Sequence, residues 1–217
     1  KNLEINSSWH EFSTFWPPRC VQAFRGDDPK AVIFFGAGLS SSAGIPTWND
    51  LLKSFKLDIA FIEDKDLESD PLTMAELASQ YMGRERLQAE LRNKIDDSNI
   101  NPSINHFNLA KLKCKHYVTT NYDCLFEKAW ERLYKGKNGV VSPKLIVVTN
   151  DAGLETVDFQ NASIEGSSIL YKIHGSVERT TELMILTRRE YRNHYRINKA
   201  LFQVIEKILS ECPTLFI

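Results

Sequence analysis

Cysteine is scarce in this chain. Its 217 residues hold four (Cys20, Cys114, Cys124 and Cys212), scattered and never in a C-x-x-C pair. That spacing argues against both a disulfide framework and a structural zinc site, so no metal is expected, and the thiols of a cytoplasmic protein are expected to be reduced. Long apolar runs are missing too. None approaches the ~20 residues that cross a bilayer, and the first residues carry no signal-peptide pattern, so no membrane contact is expected. Charge of one sign is not in excess, with 27 Lys and Arg against 28 Asp and Glu for a formal net charge of −1. Nothing global therefore favours nucleic acid or an anionic surface. The sequence also lacks repeats and low-complexity tracts. At 24.9 kDa it fits one ordinary domain, or one domain with a small inserted lobe.

The most informative stretch is Ala31 to Asp50, A-V-I-F-F-G-A-G-L-S-S-S-A-G-I-P-T-W-N-D. Five apolar residues, Ala31 to Phe35, rich in β-branched and aromatic side chains and ended by glycine, predict a buried strand. Gly36-Ala37-Gly38 lets the backbone turn tightly and come close to a ligand. Ser40, Ser41 and Ser42 are N-cap residue types, which predicts a nearby helix start with its free N–H groups facing the turn. Such a helix start suits a diphosphate. Strand, Gly-rich turn and helix make half of a dinucleotide site. They equally make a tight β–α turn that binds nothing, because Gly44 comes too late for G-x-G-x-x-G. Gly44-Ile45-Pro46-Thr47-Trp48 then interrupts the helix signal and forms a shaped loop carrying an aromatic.

Along the rest of the chain, residues 1–30 mix aromatics (Trp9, Phe12, Phe15, Trp16 and Phe24) with Pro17-Pro18, predicting a broken helical preamble packed on the domain. Leu51-Leu52 and Phe55 predict a short helix, and the acidic stretch 58–70 a solvated face. Apolar residues at helical spacing predict helix from Pro71 to about Ile95, broken at Gly83, and again over 101–113 with Pro102 at its start. Residues 52–113 thus read as a helical lobe. His116 to Thr119 predicts a strand running into the polar turn Thr120-Asn121-Tyr122-Asp123, followed by a helix with Leu125, Phe126, Ala129, Trp130 and Leu133. Leu145 to Thr149 is another predicted strand, and 150–168 a long loop. Ile169 to Ile173 predicts a strand ending at His174-Gly175-Ser176. Thr187-x-x-Glu190 is a capping box for a helix through Tyr191 and Tyr195, whose Arg188, Arg189, Arg192 and Arg196 read as a solvated face rather than a nucleic-acid surface. A helix over 198–211 and a strand from Thr214 to Ile217 complete the chain. The alternation predicts an α/β fold: a Rossmann-like parallel sheet flanked by helices, with a small helical lobe.

In an open α/β sheet ligands bind outside the carboxyl ends of the strands, where Gly36, Asn121, Asp123 and His174 are expected to converge. Each has a plainer reading. Asp123 is also a common helix N-cap, Asn121 a turn residue, His174 a solvated turn histidine, and Trp48 ordinary packing.

Gly36-Ala37-Gly38 with Gly44-Ile45-Pro46, then Thr120-Asn121-Tyr122-Asp123, then His174-Gly175, fall in the order and rough spacing of the sirtuin superfamily, which the chain resembles over residues 31–176. It departs from the protein deacylases in lacking their two downstream C-x-x-C pairs and in reading Thr47-Trp48-Asn49 where they have Asp-Phe-Arg. The Gly-Ile-Pro-x-Trp spacing, the Thr-Thr-Asn-Tyr-Asp run and the segment Leu186-Thr187-Arg188 to Tyr191 resemble instead the sirtuin-like NAD-consuming domains of bacterial antiviral defence. The family's Gly-x-Ser loop after the last strand is missing, so a single domain over 1–217 with a truncated C-terminus is expected.

The resemblance implies NAD as substrate. It implies a cofactor-binding set of Gly36, Ala37, Gly38, Ser40, Ile45, Pro46, Trp48, Asn121 and Asp123, and a catalytic set of His174, Asn121 and Asp123. Asn121 would hold the ribose and a water, Asp123 the nicotinamide amide, and His174, at an ordinary pKa of ~6.5, would take a proton. The implied activity is NAD+ glycohydrolase, in a homo-oligomer or with a partner protein of a defence complex. The rivals are an NAD-dependent protein deacylase and a nucleotide-binding sensor or scaffold that turns nothing over.

Overall fold

The computed structural model describes residues 22–24, 31–48, 50–51, 71–136, 139–164, 166–179 and 181–217. The predicted N-terminal preamble other than residues 22–24, the helix through Leu52 and Phe55, the acidic stretch 58–70 and Asn49 lie outside the described residues.

All five predicted strands form: β1 (Val32–Phe35), β2 (His116–Thr119), β3 (Leu145–Val148), β4 (Ser168–Lys172) and β5 (Thr214–Phe216). They make one parallel sheet in the order β3-β4-β2-β1-β5. A parallel sheet is covered on both faces, which is why its strands read as apolar runs rather than alternating ones. Ile33, Phe35, Tyr117 and Leu170 pack on one side with Leu109, Phe126 and Trp130. Val32, Val118, Ile169 and Tyr171 pack on the other with Leu201, Ile205 and Ile208.

The helices supplying those covers are α4 (Ile104–Lys111) and α5 (Leu125–Tyr134) on the first face, and α9 (Lys199–Glu211) on the second. Before them in the chain come α1 (Ala37–Ser41), α2 (Pro71–Met82) and α3 (Arg84–Lys94). The break between α2 and α3 is Gly83, at φ +86°. Residues of α2 and α3 share a third apolar cluster with Ile45, Leu51, Tyr122, Met184 and Leu186, over the carboxyl edge of the sheet. The capping box forms as predicted at the start of α8 (Arg188–Ile197): the Glu190 N–H donates to Thr187 Oγ1 at 3.3 Å, and the Thr187 N–H to Glu190 Oε2 at 2.9 Å.

Two expectations need correction. The predicted loop 150–168 contains α6 (Asp151–Glu155) and α7 (Phe159–Ile164), the first capped by Asn150 Oδ1, which accepts from the Gly153 N–H at 2.7 Å. Helices this short leave too few turns for an apolar period to show. The serines, in turn, do not start a helix. Gly36 is the N-cap of α1, and Ser41 and Ser42 close it by donating to the carbonyls of Gly38 and Leu39 at 2.9 and 2.7 Å.

Register decides where the strands deliver the chain. Phe35 pairs with Thr119, and Thr119 with Lys172, so three adjacent strands end in one row. Gly36 follows that row by one residue, and Asn121 and His174 each by two. Gly175, at φ +92°, then turns the chain so tightly that a Cβ there would lie 3.0 Å from the Leu183 carbonyl oxygen. Gly175→Ala is expected to cost about 1–3 kcal/mol, read as a lower denaturant midpoint. Gly38→Ala, whose Cβ meets nothing within 4 Å, should stay within about 0.5 kcal/mol of the parent. Equal effects of the two would contradict this account.

Candidate active site

The turn after β1 and the turn after β2 are tied before any ligand is considered. Thr119 Oγ1 donates to the Phe35 carbonyl and accepts from the Asn121 N–H, both at 3.0 Å. Asn121, 6% exposed, then points its amide inward and donates from Nδ2 to Ser40 Oγ at 2.9 Å. His106 supports that orientation. The Ser103 N–H donates to its Nδ1 at 3.2 Å, which leaves Nε2–H facing Ser40 Oγ at 3.4 Å. With the amide nitrogen committed to Ser40, Asn121 Oδ1 is left buried and without a partner among the described residues. A buried carbonyl oxygen of this kind is costly unless a donor reaches it.

Asp123, also 6% exposed, is not the N-cap of α5, a place taken by Cys124, but bonds the N–H two residues on. Its Oδ1 accepts from the Leu125 N–H at 3.1 Å at the head of α5, and its side chain also borders the cavity described below. His174 borders the same cavity, with its Nδ1 3.3 Å from the Tyr191 hydroxyl and its ring edge-on to Tyr191 at 4.8 Å between centroids. Trp48 and Tyr122 lie 6.2 Å apart, and Tyr122 and His174 6.3 Å, so three aromatic rings run along one wall. The Tyr122 hydroxyl is anchored on the Ile185 carbonyl at 2.6 Å.

These side chains enclose a cavity of about 190 Å³. Ala37, Ser40, Ile45, Pro46 and Trp48 reach it from the first motif, Asn121 and Asp123 from the second, and His174 from the third. Gly36 and Gly38 do not line it, although Gly36 starts the helix that carries Ala37 and Ser40. The volume is below the ~300–1,000 Å³ of pockets that take a whole drug-sized ligand, so it suits one ring-sized end of a longer molecule. A larger groove, about 450 Å³, runs between α2 and α8 past Thr73, Glu76 and the exposed Arg188, Arg189, Arg192 and Arg196. It contains none of the cofactor-binding or catalytic candidates, and its arginines form the exposed face read from the sequence. Among the described residues no three His, Cys, Asp or Glu side chains are grouped to hold a metal ion.

The protonation of His174 differs from the ordinary value assumed above. Burial, and next the neighbouring His194, push its imidazole down to about 4, against a backbone bond to Thr120. The ring is therefore neutral at physiological pH. His194 itself is held as one tautomer, Nε2–H donating to the Ile173 carbonyl at 2.6 Å while Nδ1 accepts from Asn198 at 2.9 Å. Sequence reading passed over Thr120, Leu51, Ile95 and Tyr122, which also line the cavity, and His106 and Tyr191, which brace it. Only Tyr122 and Thr120 carried a signal, as neighbours of Asn121. The others come from elements whose placement depends on the fold.

Comparison with known proteins follows the same stretch. Residues 115–217 match the SIR2-like domain family. The chain is 33% identical over 178 residues to the NAD(+) hydrolase ThsA of Cytobacillus dafuensis, covering 82% of this chain and 32% of that protein. It is 31% identical over 164 residues to the NAD(+) hydrolase ThsA of Acinetobacter baumannii (strain 532279), covering 75% and 30%. To that of Enterococcus faecium it is 33% identical over 175 residues, covering 80% and 33%. The chain thus spans about a third of the length of these relatives.

The neutral histidines make stability depend on pH. An unfolded imidazole takes up its proton below about pH 6.5. Native His116, lowered by burial and then by Lys115, and native His174 stay neutral down to about 4. Between those values the unfolded chain binds more protons than the native one, so stability is lost as pH falls from about 6.5 toward 4. Denaturant midpoints from pH 7.5 to 4.5 should fall in that window, and less steeply in His174→Gln. Parallel slopes for parent and variant would contradict the assignment.

Proposed function

Residues 115–217 match the SIR2-like domain family, and from that premise we propose that the chain hydrolyses NAD+ to nicotinamide and ADP-ribose, as the NAD-consuming part of an antiviral defence protein. The observation that carries the reading is the meeting of Asn121, Asp123 and His174, from turns after two adjacent strands, at one cavity, with Asn121 Oδ1 left without a donor among the described residues. The curated relatives named NAD(+) hydrolase support it.

The bond to be broken joins the ribose C1′ to the pyridinium nitrogen. Its electron pair goes to that nitrogen, so nicotinamide leaves neutral and needs no general acid. The transition state has oxocarbenium character, as in glycoside hydrolysis generally. Asn121 Oδ1 would accept from a ribose hydroxyl and fix the sugar. Asp123, through the carboxylate oxygen not used on Leu125, would accept from the carboxamide N–H and orient the ring. A water adds to C1′ as the ring departs, and its proton passes to His174 and on to solvent. A neutral imidazole is the form that can accept it. The Gly36–Gly38 turn would face the diphosphate, and Trp48 with Tyr122 would exclude bulk water from the cleaved bond.

The protein incubated with NAD+, with and without an acylated peptide, is expected to release nicotinamide without the peptide. Release only with the peptide would overturn this reading for a deacylase, and binding without release for a sensor. Asn121→Ala and His174→Ala should each lower kcat by at least about 10²-fold, the scale of a lost acid–base or positioning group, with the fold unchanged by circular dichroism. Parental activity in either variant removes that residue from the mechanism. Because His174 titrates near 4, kcat/KM should stay level from about pH 8 to 5.5. An acid limb centred near 6.5 would contradict the buried, neutral imidazole.

A further inference from the structure

Lys172 has no part in the chemistry above, yet it is the most heavily buried charge near it. It ends β4, two residues before His174, and its side chain is fully enclosed. Burying an ammonium is strongly unfavourable unless partners replace its water. Here Nζ lies 2.7 Å from the Asp123 carbonyl, 2.7 Å from Glu127 Oε1 and 3.3 Å from the Tyr122 carbonyl, with Cys124 Sγ at 3.5 Å. Three donors meet three oxygens. Burial works against the charge, but Glu127, then Cys124 and Asp123, outweigh it and hold Lys172 above its ordinary pKa. The partners have a pattern. Two are main-chain carbonyls of the turn that carries Asn121 and Asp123, and the third lies in the first turn of the helix that follows it.

We propose that Lys172 is a positioning residue, whose ammonium ties the Asn121–Asp123 turn to the strand that delivers His174 and so fixes the spacing between the two halves of the site. Strand pairing ends at Thr119 and Lys172, so beyond that row the two turns depend on other bonds. The Val177 N–H donates to the Tyr122 carbonyl at 2.9 Å and shares the task, while the donor to the Asp123 carbonyl is Lys172. Apolar pairs of similar volume are often at least as stable as a buried ion pair. A charge kept here is therefore better explained by the geometry it imposes than by the stability it adds. The consequence for turnover rests on the proposed NAD+ hydrolysis; the tether itself does not.

The test uses the full chain, with Lys172→Met, with Lys172→Met/Glu127→Met to avoid an unpaired buried carboxylate, and with Ile205→Ala as a core-destabilising control on the far face of the sheet. Hydrogen exchange at the amides of residues 121–125 reads the tether, and nicotinamide release from NAD+ reads the chemistry. In the double variant those amides are expected to exchange at least about tenfold faster. Its kcat should fall about 10²-fold with KM within about threefold, the effect of misplaced reacting groups. Ile205→Ala should lower Tm and leave kcat and these amides near parental. Unchanged exchange in the double variant overturns the tether, and a loosened turn with parental kcat overturns its role in positioning. A parent that releases no nicotinamide counts against the hydrolase reading alone, because the exchange result stands without it.

Discussion

Parallel pairing of β1, β2 and β4 is the constraint from which the rest follows. In a parallel sheet every strand leaves by the same edge, so residues more than a hundred positions apart reach one place without long excursions of the backbone. The register Phe35–Thr119–Lys172 aligns the strand ends, and the Thr119 hydroxyl welds the first two by bonding the Phe35 carbonyl and the Asn121 N–H together. Gly36, Asn121 and His174 sit within two residues of that row, and Asp123 within four. The apolar layers on each face, built from Ile33, Tyr117 and Leu170 on one side and Val32, Val118 and Ile169 on the other, hold the row in place. A one-residue slip of β2 or β4 would turn its entire buried set to the opposite face, so the core defends the register that the site needs.

The polar groups at that edge are arranged by the same enclosure. A low-dielectric setting makes unpaired groups expensive and paired ones strong. His106, Ser40 and Asn121 are therefore linked in series, and the series ends at a buried oxygen with no partner among the described residues. His174 loses its charge to burial, while Lys172 keeps its own through Glu127. The site combines a neutral acceptor, an oriented amide and a carboxylate partly committed to a helix start. It suits a substrate that brings a cationic leaving group with it.

Much of this was legible beforehand, and the limits have physical causes. The five strands showed as apolar runs because both sheet faces are covered, and Gly83 and the Thr187–Glu190 box showed as local signals whose geometry depends on few neighbours. Gly36, Asn121 and His174 were legible because each comes within two residues of a strand end. Ser40 carries a capping signal in the sequence, and only the resemblance implies a place for it at the cofactor; in the fold its hydroxyl is buried and accepts from Asn121. Lys172 was hidden inside a strand pattern, since its meaning depends on which strand lies alongside. Tyr191 and His106 reach the site from helices distant in sequence, through packing that no local pattern encodes.

The central claim is that three separate turns serve one nicotinamide nucleoside, and NMR titration with NAD+ tests it most directly. The side-chain amide resonances of Asn121 and the imidazole resonances of His174 should shift together along one isotherm with a single Kd, while the arginines of α8 stay in place. Separate isotherms for the two residues, or shifts confined to the arginine-lined groove, would contradict the account.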